Sequence, residues 1–379
     1  MEYKLEDLFD LQMGKTPSRN NTDYWNSKDH KWISIGDLSK CGKYIEDTKE
    51  YLSDKAVEES GISIIPAGTV VMSFKLSIGK TAITPEPMYS NEAIMSFRDK
   101  HLVPLLPDYI YYMFSGRNWD SGTNKAVMGK TLNKATLSKI RVKIHAIEKQ
   151  KEIVQILDKV KSLINARQLE IQKMDDAIKA RFVEMFGDPE TNPRCWPEKL
   201  LSETLDVLGG YAFKSDGFSE AEGIPVLRIG NINAGFFKPV NMVFWKEEKN
   251  LERYLMYPGD LVMSLTGTVG KDDYGNVCIL GNEYSKYYLN QRNAKLELKG
   301  GMDKHYLSQL LRFEKIKQRL TGISRGVRQA NISNRDILGL KVPVPSLELQ
   351  KKYAAFVAQV DKSKSRKELN HKTEIRLVS

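Results

Sequence analysis

The chain is poor in the features that mark most enzymes, secreted proteins and membrane proteins. Its three cysteines, Cys41, Cys195 and Cys278, are odd in number and widely scattered, and no Cys-x-x-Cys pair occurs. Neither a disulfide framework nor a zinc site is therefore indicated. No apolar run approaches the roughly 20 residues needed to span a bilayer, and Met1-Glu2-Tyr3-Lys4 does not read as a signal peptide. A cytoplasmic protein with no membrane partner is expected. The five histidines, His30, His101, His145, His305 and His371, form no pair with ligand spacing, so no metal is expected.

Nucleotide and methyl-transfer motifs are missing too. Gly-Lys-Thr occurs at Gly14, Gly79 and Gly129, but the glycine that a phosphate loop needs five positions earlier is replaced by Phe9, Phe74 and Asn124. Gly-x-Gly-x-x-Gly is absent. So is Asp/Asn-Pro-Pro-Tyr/Phe, the pattern of an amino-methyltransferase site: Asp188-Pro189 continues with Glu190, and Asn192-Pro193 with Arg194. Metal-assisted cleavage of a phosphodiester needs clustered carboxylates, whereas Asp272-Asp273 reads as a turn. No catalytic residue and no bound cofactor are expected.

What the chain does have is cationic charge and a repeat. It carries 58 Lys and Arg against 48 Asp and Glu, a net charge of +10 with pI about 9.2, which favours a polyanionic partner. The sequence around Glu148 returns around Glu348. Leu132-Asn-Lys-Ala-Thr-Leu137, Ile140-Arg-Val-Lys-Ile144 and Glu148-Lys-Gln-Lys151 match Ile332-Ser-Asn-Arg-Asp-Ile337, Leu340-Lys-Val-Pro-Val344 and Glu348-Leu-Gln-Lys351. Further back, Ile35-Gly-Asp-Leu38 matches Ile229-Gly-Asn-Ile232. Pro66-Ala-Gly-Thr-Val-Val-Met-Ser73 resembles Tyr257-Pro-Gly-Asp-Leu-Val-Met-Ser264, and each is followed by Gly-Lys, at Gly79 and Gly270. One large module is used twice, with loops of unequal length on a shared frame.

Each module reads as mixed α and β. Val70–Met72, Val226–Ile229 and Leu261–Met263 are expected as buried strands. A short helix capped by Asp108 would bury Tyr109, Ile110 and Met113, with Tyr306, Leu307 and Leu310 as its counterparts. Each module then ends in a stretch without Gly or Pro, 146–186 and 346–378. In the first, Leu157, Ile164, Ile171, Ile178 and Met185 recur every seven residues, with Ile153, Val160 and Met174 in the companion position and Arg167 as an interruption. That is a coiled-coil seam. Gly187-Asp-Pro189 ends it. Tyr353, Val357 and Val360 continue the seam in the second stretch, after which Lys364, Lys367 and His371 take apolar positions. The fold class expected is α+β: two duplicated mixed domains, each followed by a long helix, with the two helices packed as a coiled coil.

The loops carry residues suited to reading DNA. In the first module these are Lys15, Thr16, Arg19, Lys75, Lys80, Lys125 and Lys130. In the second they are Lys214, Arg228, Asn231, Lys271, Arg292, Arg325, Arg328 and Gln329. Arg and Lys donate to guanine O6 and N7, and Asn and Gln pair with adenine. Cations on glycine-rich loops approach phosphates. Tyr24, Trp25, Tyr211 and Phe213 are expected in the core.

The order and duplication of these segments resemble the specificity subunit of type I restriction–modification enzymes. The resemblance rests on Gly14-Lys-Thr-Pro-Ser with Tyr24-Trp25, on Ile35–Leu38, on Pro66–Ser73, on the run from Leu137 to Ile153, and on Phe182-Val-Glu-Met-Phe-Gly-Asp-Pro189. It covers essentially the whole chain. It implies residues 1–145 as one target-recognition domain and 187–345 as the other, each reading half of a split site in double-stranded DNA. Residues 146–186 and 346–379 would be long antiparallel spacer helices that give the chain pseudo-two-fold symmetry and bind two methyltransferase subunits. Restriction subunits would join through these. S-adenosylmethionine would be bound by the methyltransferase subunits and not by this chain. One departure is Gly209-Gly210-Tyr-Ala in the second module, where the first has Met13-Gly14-Lys-Thr-Pro. Two other readings are a stand-alone regulator that dimerises through the long helix, and a nuclease with a site formed between modules. The first leaves the repeated helix unexplained, and the second lacks motifs.

Overall fold

A computed structural model describes the backbone of residues 1–75, 77–119, 124–126, 129–232, 235–322 and 329–376. Side chains are described for these except at 124–126, 129–131, 329 and 365–376. The chain divides into two compact units, Met1–Asn165 and Ala166–Ser379.

Unit 1 is built on an antiparallel four-stranded sheet in the order Phe9–Met13, Ile94–Asp99, Val70–Ser73, Thr81–Ile83. Val70–Ser73 is buried at every position, as expected for a strand covered on both faces. A second sheet has the order Glu50–Leu52, His30–Ile33, Tyr89–Ser90, its last pair parallel. Residues Glu2–Lys4 pair with Arg141–Lys143 and bring the start of the unit to its end. The apolar core gathers Leu8, Phe97, Phe114 and Leu137 around these strands.

Unit 2 repeats this plan. Its four-stranded sheet runs Leu205–Gly209, Asn293–Leu298, Leu261–Ser264, Val277–Ile279, and Glu198–Leu200 pairs with Lys341–Pro343. The parallel pair is Ile224–Leu227 with Tyr287–Leu289, and Leu255–Met256 adds an antiparallel edge strand whose counterpart in the first unit is the single bridge between Ile65 and Met88. The strand foreseen over Val226–Ile229 lies slightly earlier, at Ile224–Leu227, because Arg228 opens a 3-10 turn. The duplication read from sequence is thus a duplication of sheet order.

The short helix of unit 1 is Pro107–Ser115, with Pro107 at its first turn and Tyr109 and Ile110 buried. Asp108 does not cap it, because Pro107 already occupies the helical start and Leu106 is the cap position. Its carboxylate instead accepts from Tyr44 Oη at 2.9 Å and pairs with Lys43. Lys43 also meets Asp158 on the long helix at 2.7 Å, and Tyr112 Oη donates to Asp158 at 2.5 Å. Burial, followed by this hydrogen bond, pushes the Tyr112 phenol well above its ordinary range. Lys161 Nζ donates to Tyr111 Oη at 2.8 Å. These polar contacts bind the long helix to the body of unit 1.

The long helix is Ile147–Phe186, 40 residues without interruption, and the C-terminal helix is Leu347–Arg376. Ile153, Leu157, Val160, Ile164, Ile171 and Met174 are half-buried, and Ile178 is buried. Arg167, which interrupts the seam, pairs with Glu170 at 3.1 Å on the same helix. Within unit 2 the two helices run antiparallel. Tyr353 Oη donates to the Ile178 carbonyl, while Lys364, eleven residues later, reaches back to Asp175 at 2.6 Å. That ion pair explains a lysine at a seam position.

Phe182 is the hub of this packing. It is fully buried, and its ring lies 4.9–5.5 Å from those of Phe186, Tyr306, Phe313 and Tyr353. Val357 is buried in the same cluster and Val360 packs against it. Truncating such a ring removes both transfer energy and packing. Phe182→Ala is expected to cost unit 2 about 3–5 kcal/mol, measured by urea denaturation. Ile156→Ala, on an exposed face of the same helix, is expected to cost under about 1 kcal/mol.

Candidate nucleic-acid interface

Because the four-stranded sheets are antiparallel, certain strand ends must fall on one edge. In unit 1 these are the end of Phe9–Met13, the start of Ile94–Asp99, the end of Val70–Ser73 and the start of Thr81–Ile83. The second sheet adds the end of His30–Ile33, since Asn91 N donates to the Ile33 carbonyl at 3.0 Å. The basic loops leave from this edge.

Gly14 is where the chain departs. Its N–H donates to the Ile94 carbonyl at 3.2 Å, and the next N–H, of Lys15, donates to Ser90 at 2.9 Å. A Cβ at Gly14 would collide with the Ser90 backbone, so only glycine passes. Unit 2 does the same with Gly210: Gly210 N meets the Asn293 carbonyl at 3.1 Å and Tyr211 N meets Leu289 at 2.9 Å. A Cβ at Gly210 would strike the Asn290 carbonyl. Gly14 and Gly210 are therefore equivalent, and Lys15 corresponds to Tyr211. The mismatch in sequence is a change of side chain on a kept backbone crossing.

Several candidates of unit 1 meet around two acids that sequence reasoning missed. Thr16 Oγ1 donates to Glu92, which holds that carboxyl below its usual range; Lys75 and Arg19 add to the effect. Arg19 forms a two-pronged pair with Glu50, Nη2 to Oε2 at 3.0 Å. Its guanidinium stacks 3.9 Å from the Trp25 ring and 4.9 Å from Trp32. Arg19 is thus already oriented, with part of its donor set engaged. Lys15 is exposed and donates to the Ser60 carbonyl at 2.5 Å. Lys75 is half-buried, 5.3 Å from the Phe74 ring, and Lys80 is exposed.

Lys125 and Lys130 face each other in register on the hairpin strands Asn124–Ala126 and Gly129–Thr131, and their side chains lie outside the described residues. The hairpin returns to the site because Leu132 N donates to the Phe74 carbonyl at 3.0 Å.

In unit 2, Lys214, Lys271 and Arg292 are exposed. Arg228 is half-buried and donates to the Asn241 carbonyl at 2.5 Å. Asn231 is corrected: it is 3 % exposed, and its amide is consumed inside the fold. Its Oδ1 accepts from Arg228 N, and its Nδ2 donates to the Lys238 and Val240 carbonyls. It shapes the turn and has no group left for a base. Arg325 and Arg328 lie outside the described residues. Gln329 pairs with Thr268 in a two-stranded ladder, and its side chain is likewise undescribed. Of the four rings expected in the core, Phe213 is buried beside Tyr288, whereas Tyr211, Tyr24 and Trp25 are half-buried, the first packed against the Phe213 cluster and the other two against the Trp32 cluster.

A cleft of about 1190 Å³ in unit 2 lies between Asp175, Asp361 and Lys364 of the two long helices and His305, Arg312 and Lys317. Its walls mix both signs of charge, so it lacks the one-sign field that a DNA backbone selects. Among the described residues no group of three His, Cys, Asp or Glu is placed to hold a metal ion. Cys278 is buried, and desolvation pushes its thiol up to about 12.

The comparisons agree with this geometry. A family model described as "Type I restriction modification DNA specificity domain" matches residues 1–173 and again 193–376, and the chain belongs to that family. It is 25 % identical over 252 residues to the MjaIX specificity subunit of Methanocaldococcus jannaschii, covering 61 % of this chain and 58 % of that one. Against the MjaVIII specificity subunit of the same organism it is 28 % identical over 280 residues, covering 67 % and 64 %. The chain therefore spans about three-fifths of the length of these relatives. In fold it is similar to the type I restriction–modification S subunit from M. genitalium, with TM-score 0.55, 12 % identity, and coverage of 100 % of this chain and 93 % of that one. No helix among the described residues is long and apolar enough to cross a membrane.

The two crossing glycines generate a prediction. Gly210→Ala forces a methyl group against backbone, and overpacking of this kind costs about 1–3 kcal/mol. Thermal unfolding of the variant is expected to show that loss, whereas Gly230→Ala, with open space around its Cβ position, should differ little from the parent.

Proposed function

We propose that the chain is the DNA-specificity subunit of a type I restriction–modification complex, and that each unit reads one half of a split site in double-stranded DNA. The observation that carries this reading is the double match to the specificity-domain family, laid over two sheets of identical strand order. Each presents cationic loops at the same edge. Residues 1–145 and 187–345 act as the recognition domains. Residues 146–186 and 346–379 act as spacers that receive two methyltransferase subunits, with restriction subunits joined through them. The chain contributes no catalytic group. S-adenosylmethionine belongs to the methyltransferase subunits, and the complex works in the cytoplasm.

The division of labour follows from chemistry. Lys80, Lys214, Lys271, Arg228 and Arg292 are placed at the loop edge and suit guanine edges or phosphates. Arg19, held flat by Glu50 and Trp25, can offer its remaining donors without paying much rotamer entropy. A stand-alone regulator is not favoured, because the family match extends over both units.

Co-expression with the methyltransferase subunit of the same system, in a host without adenine methylation, tests this reading. Single-molecule sequencing of modified bases is expected to show one split motif modified on both strands; a stable, soluble complex that modifies nothing would refute it. Arg228→Ala is expected to relax one half of that motif by about 1–3 kcal/mol if a base contact is lost. Inserting four residues near Gln168 adds roughly one helical turn. The gap between half-sites, or assembly itself, is expected to change while the half-site sequences persist.

A further inference from the structure

Lys317 lies on the apolar face of the helix Glu314–Thr321, beside Ile316 and Leu320, and is 8 % exposed. A lysine there is costly to desolvate unless its ammonium finds acceptors. It finds two, both on one turn: the Asp272 carboxylate, and Asn276 Oδ1 at 2.6 Å. Tyr274 of the same turn donates to the Thr321 carbonyl at 2.7 Å. Asp273 closes the turn from within, accepting from Thr268 N at 2.8 Å and Thr268 Oγ1 at 2.9 Å. The backbone hydrogen bond donated by Thr268 holds the Asp273 carboxyl below its ordinary range. The exposed Lys271 sits at the tip.

Unit 1 fixes the corresponding turn by other means. Gly79 takes φ +86°, and a Cβ there would lie 2.7 Å from Trp119 Cδ1, so the bare turn rests on the indole. Trp119 is buried, and its Nε1 donates to the Phe114 carbonyl at 2.8 Å. Unrelated chemistries therefore hold the same turn to the segment that follows the same helix. What the two units share is the position of the turn, not the side chains that set it.

We propose that Lys317 is a positioning residue for base recognition: its buried ammonium sets the Leu265–Asn276 turn, and with it Lys271, against the second half-site. This rests on the function proposed above. Lys317 touches no DNA. It acts by denying the turn alternative positions, so that Lys271 arrives oriented. A purely apolar contact at this point is non-directional, whereas an ammonium shared by the Asp272 carboxylate and Asn276 Oδ1 ties two positions of the turn to one point on the helix.

The test uses the assembled complex with its methyltransferase subunits, carrying Lys317→Met or Asp272→Asn. Asp272 is largely exposed, so Asp272→Asn keeps the fold even where Lys317→Met does not. The readout is modification of substrates bearing one altered base in either half of the motif. A lost base contact corresponds to roughly 5- to 150-fold in discrimination. Lys317→Met is expected to reduce discrimination about tenfold in the half-site read by unit 2, and Asp272→Asn to reduce it less, since Asn276 still accepts. The half-site altered by Lys80→Ala should stay as it was. Equal loss in both halves, a lower overall rate with unchanged discrimination, or no change in either variant would overturn the assignment. If the parent complex modifies no split motif, the underlying function fails, and this role falls with it; a parent that does so while both variants match it rejects only the role of Lys317.

Discussion

Each unit depends on a place where the chain crosses between two strands with no room for a side chain. At Gly14 and Gly210 the backbone is tied to the neighbouring strand of one sheet and, one residue later, to the parallel strand of the other. The crossing sets where the first loop starts. It also fixes that edge relative to the turns after Ser73 and Ser264, because the same strands carry all three. Recognition by loops needs a rigid base, and this crossing supplies it twice.

Away from that edge, the units differ in how they hold their loops. Unit 1 relies on rings and paired charges: Arg19 between Glu50 and Trp25, and Gly79 on Trp119. Unit 2 relies on a buried lysine and on side-chain amide hydrogen bonds such as those of Asn231. The frame tolerates both because only the loop positions are shared. Two surfaces of different chemistry on one repeated scaffold fit the proposed reading of two different half-sites. The Phe182 cluster joins the long helix to the core of unit 2, as the Lys43, Asp108 and Asp158 contacts join it to the body of unit 1. Phe182, Asp108 and Asp158 sit on helices, and Lys43 reaches the two carboxylates from a bend ahead of Tyr44.

Much of this plan was legible in the sequence, and the legible parts share a physical basis. Repetition of Ile140–Ile144 in Leu340–Val344 reports equal strand pairing, and a seven-residue apolar period over Leu157–Met185 reports a helix without needing any long-range contact. Long-range partners left no such trace. Glu50 and Glu92, which engage Arg19 and Thr16, are 31 and 76 residues away from them. Asn231 looked like a reader of adenine because its type suits that task, yet its neighbours at 238 and 240 consume it. Lys317 was detectable in principle, as a charge among Phe313, Ile316 and Leu320 at helical spacing. Asp108 misled because a cap and a second-position acid look alike when Pro107 precedes.

The central claim is that each unit reads its own half-site independently, from loops on an equivalent frame. The most direct measurement replaces residues 187–345 with a second copy of 1–145, keeps both helices, and maps the modified bases made by the assembled complex. The account predicts a split motif whose two halves are the same sequence in inverted orientation, identical to one half of the parent motif. A folded, assembled complex that still modifies the parent motif, or one related to neither half, would contradict it.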